Sequence, residues 1–371
     1  MGRNSVSAGA LMVALSMLVS LTIMVGSFRR TVELWVEQTI RADLFAAPAA
    51  RFLAGSGATI PGHYLGKARS LPGVLAVDGF RGLQMEWGDG IATFASRELE
   101  ILEKHATLPF ISGDYRKVLK EARERGEAVV SESFSLKHGV RAGDSLTLRT
   151  PKGPISLKVA GVFYDYSAQG GMILVDRSLF RRYWQDERVN NLAIYLEPGA
   201  EVEAVRERLQ ALFADESGVL VFTNRFLRER IMRVFDQAFR ITYALEVIAF
   251  FVAALGVLNA LTTNILERRR ELAILRSLGF EARGLFRMIV HEAALLGALA
   301  GGVGLAGGVF LSLILIFVIN VQSFGWSIQL GFPLLKLAEY LALALLVALI
   351  SGYLPARSAG KVELARALRE E

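Results

Sequence analysis

Charged and apolar positions are sharply segregated along this chain. No charged side chain lies between Asn4 and Phe28. A helix rising about 1.5 Å per residue crosses a hydrocarbon core of about 30 Å with roughly 20 residues, so this run suffices. It exceeds the roughly 7–15 apolar residues of a signal-peptide core and is followed at once by Arg29-Arg30, so residues 1–28 read as a retained first transmembrane helix. A second apolar run, Ile241 to Leu266, is interrupted only by Glu246. The uncharged region from Ala293 to Leu335 is too long for one crossing and is broken by Ser323-Phe324-Gly325-Trp326 and Gly331-Phe332-Pro333. It predicts a third span over about 288–319, a short outer loop, and a fourth span over about 335–354. Trp326, Phe324 and Phe332 suit an interfacial aromatic belt.

Between the first and second runs the pattern is that of a water-exposed domain. Ala42–Ala46 and Val74–Phe80 are short apolar runs of strand type. Pro61 to Leu71 between them suits a helix ended by Pro72-Gly73. Leu192–Leu196, the Pro198-Gly199 turn, the amphipathic stretch Val202–Phe213 and Val219–Phe222 give a second strand–helix–strand unit. Two such units predict one sheet with helices on one face. Between them, Ala128-Val129-Val130, Ser145–Thr150 and Ile155–Phe163, with a turn at Pro151-Lys152-Gly153, read as a hairpin-rich insert. The charged stretch Arg225 to Arg240 predicts a stalk helix entering the second span.

Composition and charge agree with this layout. Of 371 residues, 53% are hydrophobic and 21% charged, the mix of a membrane protein with a sizeable water-exposed part. The absence of cysteine excludes disulfides, thiolate metal sites and cysteine nucleophiles. The net charge of +6 reads as cytoplasmic-loop Lys and Arg, not as a nucleic-acid surface. Arg268, Arg269, Arg270, Arg276, Arg283 and Arg287 lie between the second and third spans. Arg357, Lys361, Arg366 and Arg369 lie in the tail, and the third-to-fourth loop has no Lys or Arg before Lys336. The positive-inside rule then puts both termini in the cytoplasm and residues 30–240 outside, with Arg29-Arg30 a local exception.

No catalytic constellation emerges. The chain has no phosphate-cradling Gly-x-x-x-x-Gly-Lys-[Ser/Thr] motif, and Gly301, Gly304 and Gly308, with Gly302 and Gly307, sit in an apolar span where small residues let helices approach closely. His63, His105, His138 and His291 lack metal-ligand spacing. His291 with Glu292, and Glu246 near Arg240, suit headgroup-level solvation better than a proton site. Asp165 and Asp176 flank the Gln169-Gly170-Gly171 turn without a partner base or nucleophile, so they read as loop residues. No metal or cofactor is expected.

The informative segment follows the second span. Glu267-Arg268-Arg269-Arg270-Glu271-Leu272-Ala273-Ile274-Leu275-Arg276-Ser277-Leu278-Gly279-Phe280 predicts a short amphipathic helix with Ile274, Leu275 and Leu278 on one face and Gly279 as its C-cap. On physical grounds it is either a positive-inside loop held by lipid phosphates or a lever that docks into a cytoplasmic partner.

The sequence ERRRELAILRSLGF of residues 267–280 closely resembles the cytoplasmic loop of FtsX/MacB-type ABC transporter permeases. Val129–Glu132, Gly143–Leu146 and Val159–Phe163 look like that family's outer domain, and Pro355–Ala359 with Ala367-Leu368-Arg369 like its C-terminal end. The resemblance implies a membrane α-helical protein with four transmembrane helices plus an α+β extracytoplasmic domain of MacB periplasmic-core type. Its parts would be a first transmembrane helix (1–28), an extracytoplasmic domain (29–224), a stalk helix (225–240), an FtsX-like domain (241–357) whose coupling loop spans 267–287, and a cytoplasmic tail (358–371). It implies a permease of the bacterial inner membrane that is not itself an enzyme. The expected partners are a cytoplasmic ABC ATPase subunit, a second permease half or second copy, and membrane lipids, without nucleic acid. ATP hydrolysis by the partner would drive movement or extraction of a lipid, lipoprotein or other amphipathic cargo. The alternative is a non-transporting relay that regulates an outer enzyme. Glu267, Arg268, Arg269, Arg270, Glu271, Leu275, Arg276 and Gly279 would touch the ATPase. The opening residues and Gly26–Val32 resemble the start of the C-terminal half of long two-half permeases, so a split half or fragment is expected.

Overall fold

The computed structural model describes residues 2–50, 57–168, 170–215, 218–267, 274–275 and 277–359. They form two compact units. One comprises the chain up to Arg30, Asp236–Ile319 and the chain from Ile328. The other comprises Thr31–Phe235 with Asn320–Ser327.

In chain order the elements are α1 (Gly2–Thr39), β1 (Leu44–Pro48), α2 (His63–Arg69), β2 (Val74–Trp87), β3 (Gly90–Arg97), α3 (Leu99–His105), α4 (Tyr115–Arg125), β4 (Ala128–Ser131), α5 (Glu132–His138), β5 (Ser145–Thr150) and β6 (Gly153–Phe163). They continue with β7 (Met172–Asp176), α6 (Arg177–Trp184), β8 (Asn191–Leu196), α7 (Val202–Leu212), β9 (Val219–Thr223), α8 (Asn224–Glu267), α9 (Ala282–Ile314), a π-helical turn (Leu315–Ile319), α10 (Asn320–Phe324) and α11 (Leu334–Ala359). Each predicted span falls on helix, the third continuing from α9 through the π-helical turn. By length and composition, two segments among the described residues qualify as spans, Met12–Thr39 and Arg283–Phe324. The first helix does not stop at residue 28 but runs on to Thr39, because nothing in Arg29–Thr39 breaks a helix.

The outer unit is built on one nine-stranded sheet of order β5-β6-β4-β7-β3-β2-β8-β1-β9. The β3/β7 and β4/β6 pairs are parallel and the rest antiparallel. Opposed residues of paired strands share a face, so Val77, Ile194, Leu44 and Phe94 look one way and Phe80, Ala193, Phe45 and Ala95 the other. On the first face, α2 and α7 cover Leu44, Ala46, Leu192 and Ile194, while Phe134 of α5 and Phe180 of α6 cover Phe94, Val130, Ile173 and Val175. On the second face, Leu99 and Leu102 of α3 and Leu119 and Ala122 of α4 pack on Ala95, Val129 and Leu174. Helices on one face only, as expected from the sequence, therefore do not describe the sheet. Its β4-β7-β3 portion is covered on both sides, which is why all five residues of β7 are buried.

In the helical unit, glycines set how closely backbones approach. A β-carbon on Gly304 would lie 3.0 Å from Leu15 of α1, and one on Gly308 would lie 2.6 Å from Val19 and 2.8 Å from the Ser16 carbonyl. On another side of α9, a β-carbon on Gly301 would meet Leu341 of α11 at 2.9 Å. A hydrogen bond crosses the α1–α9 seam, Ser16 Oγ donating to the Gly304 carbonyl at 2.9 Å, and another joins α1 to α11, Thr22 pairing with Tyr340 at 2.9 Å. Replacing Gly308 by Val forces backbone against backbone and is expected to cost about 1–3 kcal/mol. Gly302→Ala, which enters open space, is expected to be neutral. Melting in mild detergent distinguishes them, and equal behaviour of the two variants would contradict this packing.

Candidate functional site: an inner elbow, paired stalks and an outer clamp

The elbow, expected on the inner side of the membrane, begins where α8 ends at Glu267. Arg268, Arg269, Arg270, Glu271 and Arg276 lie outside the described residues. A helical turn precedes α9, with the Leu278 amide donating to the Ile274 carbonyl at 3.1 Å and the Phe280 amide to the Leu275 carbonyl at 3.2 Å. Gly279 then takes φ +97°, a conformation that a side chain resists. Leu275 is turned inward, packing on Leu285 and Ile289 of α9. Ile274, Leu278 and Phe280 are instead 45%, 76% and 51% exposed. The apolar face expected from the sequence is thus divided between an anchor, Leu275, and an uncovered patch that includes Phe280. At the start of α9, His291 Nδ1 lies 2.6 Å from the Arg287 carbonyl of its own helix. Among the described residues no three His, Cys, Asp or Glu side chains cluster as metal ligands.

The stalks are the end of α1 and the start of α8. Asn224 Nδ2 donates to the carbonyls of Ile40 and Ala42 at 2.9 and 2.6 Å, and its backbone amide donates to the Asp43 carbonyl at 2.9 Å. One turn on, Arg228 Nη2 donates to the Ile40 carbonyl at 3.0 Å. These bonds occupy carbonyls of the short connection between α1 and β1, which no regular strand or helix bond satisfies. Within the helical unit the same two helices are joined by Phe28 and Phe239, whose ring centroids are 5.6 Å apart, and by Arg29 and Asp236, 2.6 Å apart. The ion pair is roughly half exposed, so it contributes at most about 1 kcal/mol and serves mainly to set register.

The outer clamp is a feature the sequence did not reveal. The loop Asn320–Ser327 belongs to the outer unit. Glu132, at the first position of α5, accepts hydrogen bonds from the Ser327 amide at 3.0 Å and the Ser327 hydroxyl at 2.7 Å. Trp326 is 7% exposed, and its ring centroid lies 4.8 Å from that of Tyr166, which in turn lies 5.8 Å from that of Trp35 in α1. Trp326 is therefore not a membrane-belt residue as expected, because Tyr166 and the outer unit bury it. Asn320 Nδ2 closes the loop on the Trp326 carbonyl at 2.7 Å. Gly325, at φ +73°, passes Lys137 so closely that a β-carbon would come within 2.9 Å of it.

The buried charges of the outer unit form a separate knot. Arg97 donates to the fully buried Asp78 at 2.6 Å, and Asp78 also accepts from the Glu98 amide at 2.9 Å. Glu98 accepts from the Gly79 amide at 2.7 Å and faces Arg69 and Arg177 at 3.5 and 3.7 Å. Burial, and then the neighbouring Asp78 carboxylate, push Glu98 up to about 8. Asp176 caps α6 through the Ser178 amide, while Asp165 accepts from Ser167, so these two carboxylates form no catalytic pair.

Residues 5–212 match the MacB-like periplasmic core domain, and residues 243–364 match the FtsX-like permease C-terminal domain. The chain belongs to the FtsX/MacB-like family of ABC transporter permeases. The permease is 32% identical to an ABC transporter permease protein of Mycobacterium tuberculosis over 100% of its own length and 44% of that protein's. It is 27% identical to the macrolide export ATP-binding/permease protein MacB of Salmonella choleraesuis, over 49% of this chain and 28% of that one. This permease thus spans less than half the length of these two relatives. The solved periplasmic region of MacB from Actinobacillus actinomycetemcomitans covers 53% of this chain and 95% of its own, with a TM-score of 0.39 and 10% identity.

The knot makes the permease's stability depend on pH. A buried acid that titrates at about 8, against 4.5 for an ordinary Glu, binds more protons folded than unfolded. Its contribution is complete below the ordinary carboxylate range and is lost as pH rises through 8. The melting temperature of the outer unit is expected to fall between pH 5 and pH 8. Glu98→Gln, which cannot ionise, is expected to flatten that fall, and an identical pH profile for the variant would contradict the assignment.

Proposed function

We propose that this chain is the membrane-spanning half of an ABC transporter whose ATP is hydrolysed on a separate cytoplasmic subunit. In this reading α1, α8, α9 and α11 all cross the bacterial inner membrane. Both termini and the elbow at 267–287 then lie in the cytoplasm, and the sheet domain lies outside. The positive-inside bias of the elbow supports that orientation.

The observation that carries the proposal is the elbow's exposed trio, Ile274, Leu278 and Phe280, flanking a Leu275 that is anchored in α9. An apolar patch on an anchored turn, beside a basic run, has the form of a docking surface for a protein partner. Glu267, Arg268, Arg269, Arg270, Glu271, Arg276 and Gly279 would frame it. Force applied there would act on α8 and α9 together. The α1–α8 stalk pair would carry it to the sheet domain, and the α9 side would carry it through the outer clamp.

The second-span part of α8 supports pairing with another permease half or a second copy. Ile241, Leu245, Ile248, Val252 and Leu255 on one side, and Tyr243, Val247 and Phe251 on another, are exposed. Such a helix is apolar all round and needs lipid or another helix to cover it. The cargo in this proposal is a lipid, lipoprotein or other amphipathic molecule.

Leu278→Asp places a charge on the docking patch without touching the Leu275 anchor. The expected result is at least a tenfold loss of the partner ATPase on co-purification, with membrane insertion and melting temperature unchanged. Retention of the ATPase at wild-type yield would remove the elbow from the contact.

A further inference from the structure

The second face of the sheet holds a cavity that none of the elements above uses. It has a volume of about 430 Å³, within the range of small-molecule sites. Its floor is the sheet, through Phe45, Phe80, Phe163, Leu174, Ala193 and Phe222. Its roof is the stalk pair, through Trp35 of α1, Ile40 just past its end, and Leu227 and Ile231 of α8. The walls are mainly aliphatic and aromatic, which disfavours filling by water.

Polar groups of Trp35, Thr39, Arg97, Asp165, Ser167 and Asn191 break the apolar lining. Trp35 lines the cavity, and its buried indole N–H has no acceptor among the described residues. Arg97 also lines it, held in place by Asp78. Asp165 and Ser167 reach the wall as well but are satisfied by each other, Ser167 Oγ donating to Asp165 at 2.8 Å. A buried donor without a partner is costly, and a ligand oxygen would relieve it.

We infer that this cavity binds a single-chain amphiphile, its alkyl or acyl chain lying along the sheet and a hydrogen-bond-accepting head meeting Trp35. The inference rests on the reading of the permease as a mover of amphipathic cargo, and it places one cargo-binding site in the outer domain beneath the stalks. A free fatty acid and a lysophospholipid share the required chemistry.

The test uses the full chain in phospholipid nanodiscs and a fatty acid carrying a diazirine in its chain. Photolabelling is expected to mark peptides containing Phe163–Leu174 and Phe222–Ile231, in addition to the membrane helices that any lipid probe labels. Ala193→Leu, which fills the floor, is expected to cut cavity labelling at least tenfold while leaving helix labelling unchanged. Ala47→Leu, from the neighbouring strand and also lining the cavity, is the second variant should the first not fold. Trp35→Phe keeps the ring and removes the donor, so affinity is expected to fall about five- to tenfold, the effect of one hydrogen bond. Competition by unlabelled fatty acid against lysophospholipid distinguishes the two sources. Labelling confined to the membrane helices, or cavity labelling that both filling variants leave intact, overturns the inference. ATPase co-purification measured on the same samples separates failure of this site from failure of the permease reading.

Discussion

The fold depends on a joint one residue wide. Asn224 is the first residue of α8, and its side-chain amide bridges the carbonyls of Ile40 and Ala42, just past the end of α1, while its backbone bonds to Asp43, just before β1. Both long helices are thereby fixed to the same edge of the sheet. Without those bonds, carbonyls of the α1–β1 connection would lose partners in a partly buried place where water is a poor substitute. The joint has no slack because α8 follows β9 without a loop, and only a few residues separate α1 from β1.

From that joint the helices run unbroken into the apolar segments. Side-chain contacts keep them in register: Phe28 on Phe239, Arg29 with Asp236 and Arg228 on Ile40. Further along, Gly304 and Gly308 allow α9 to approach α1 so closely that even a methyl group would be excessive. Within the helical unit the backbone seams are close, and within the outer unit part of the sheet is covered on both faces. The π-helical turn at Leu315–Ile319 and the turn that Gly279 closes interrupt the helices. The proposed relay uses both, one leading into the outer clamp and the other into the cytoplasmic partner.

Much of this was legible in the sequence, for a physical reason. Uncharged runs must be long to cross lipid, and strands with one wet face must alternate, so the long helices, the β5/β6 hairpin and the two strand–helix–strand units leave periodic traces. The rest leaves none. Residues Met172–Asp176 are buried on both sides and show no alternation, so β7 and the parallel pairing it creates went unread. The clamp joins Glu132, Tyr166 and Ser327, which are distant in sequence and individually ordinary. Trp326 carried a signal, but an aromatic residue beside an apolar run fits a lipid interface as well as a protein contact. At the elbow, the sequence marked an apolar face correctly as a class. Only the packing of α9 separates the inward Leu275 from the outward Leu278.

The central claim is that the α1–α8 pair acts as one strut between the elbow and the outer domain. The natural absence of cysteine allows spin labels to be placed at Phe28→Cys and Phe239→Cys alone. Their separation can then be measured by pulsed electron paramagnetic resonance in the reconstituted complex, with the ATPase at rest and during turnover. The account predicts one narrow distance that is the same in both states. A distribution that shifts or splits when ATP is hydrolysed would contradict it, because the helices would then move past each other instead of together.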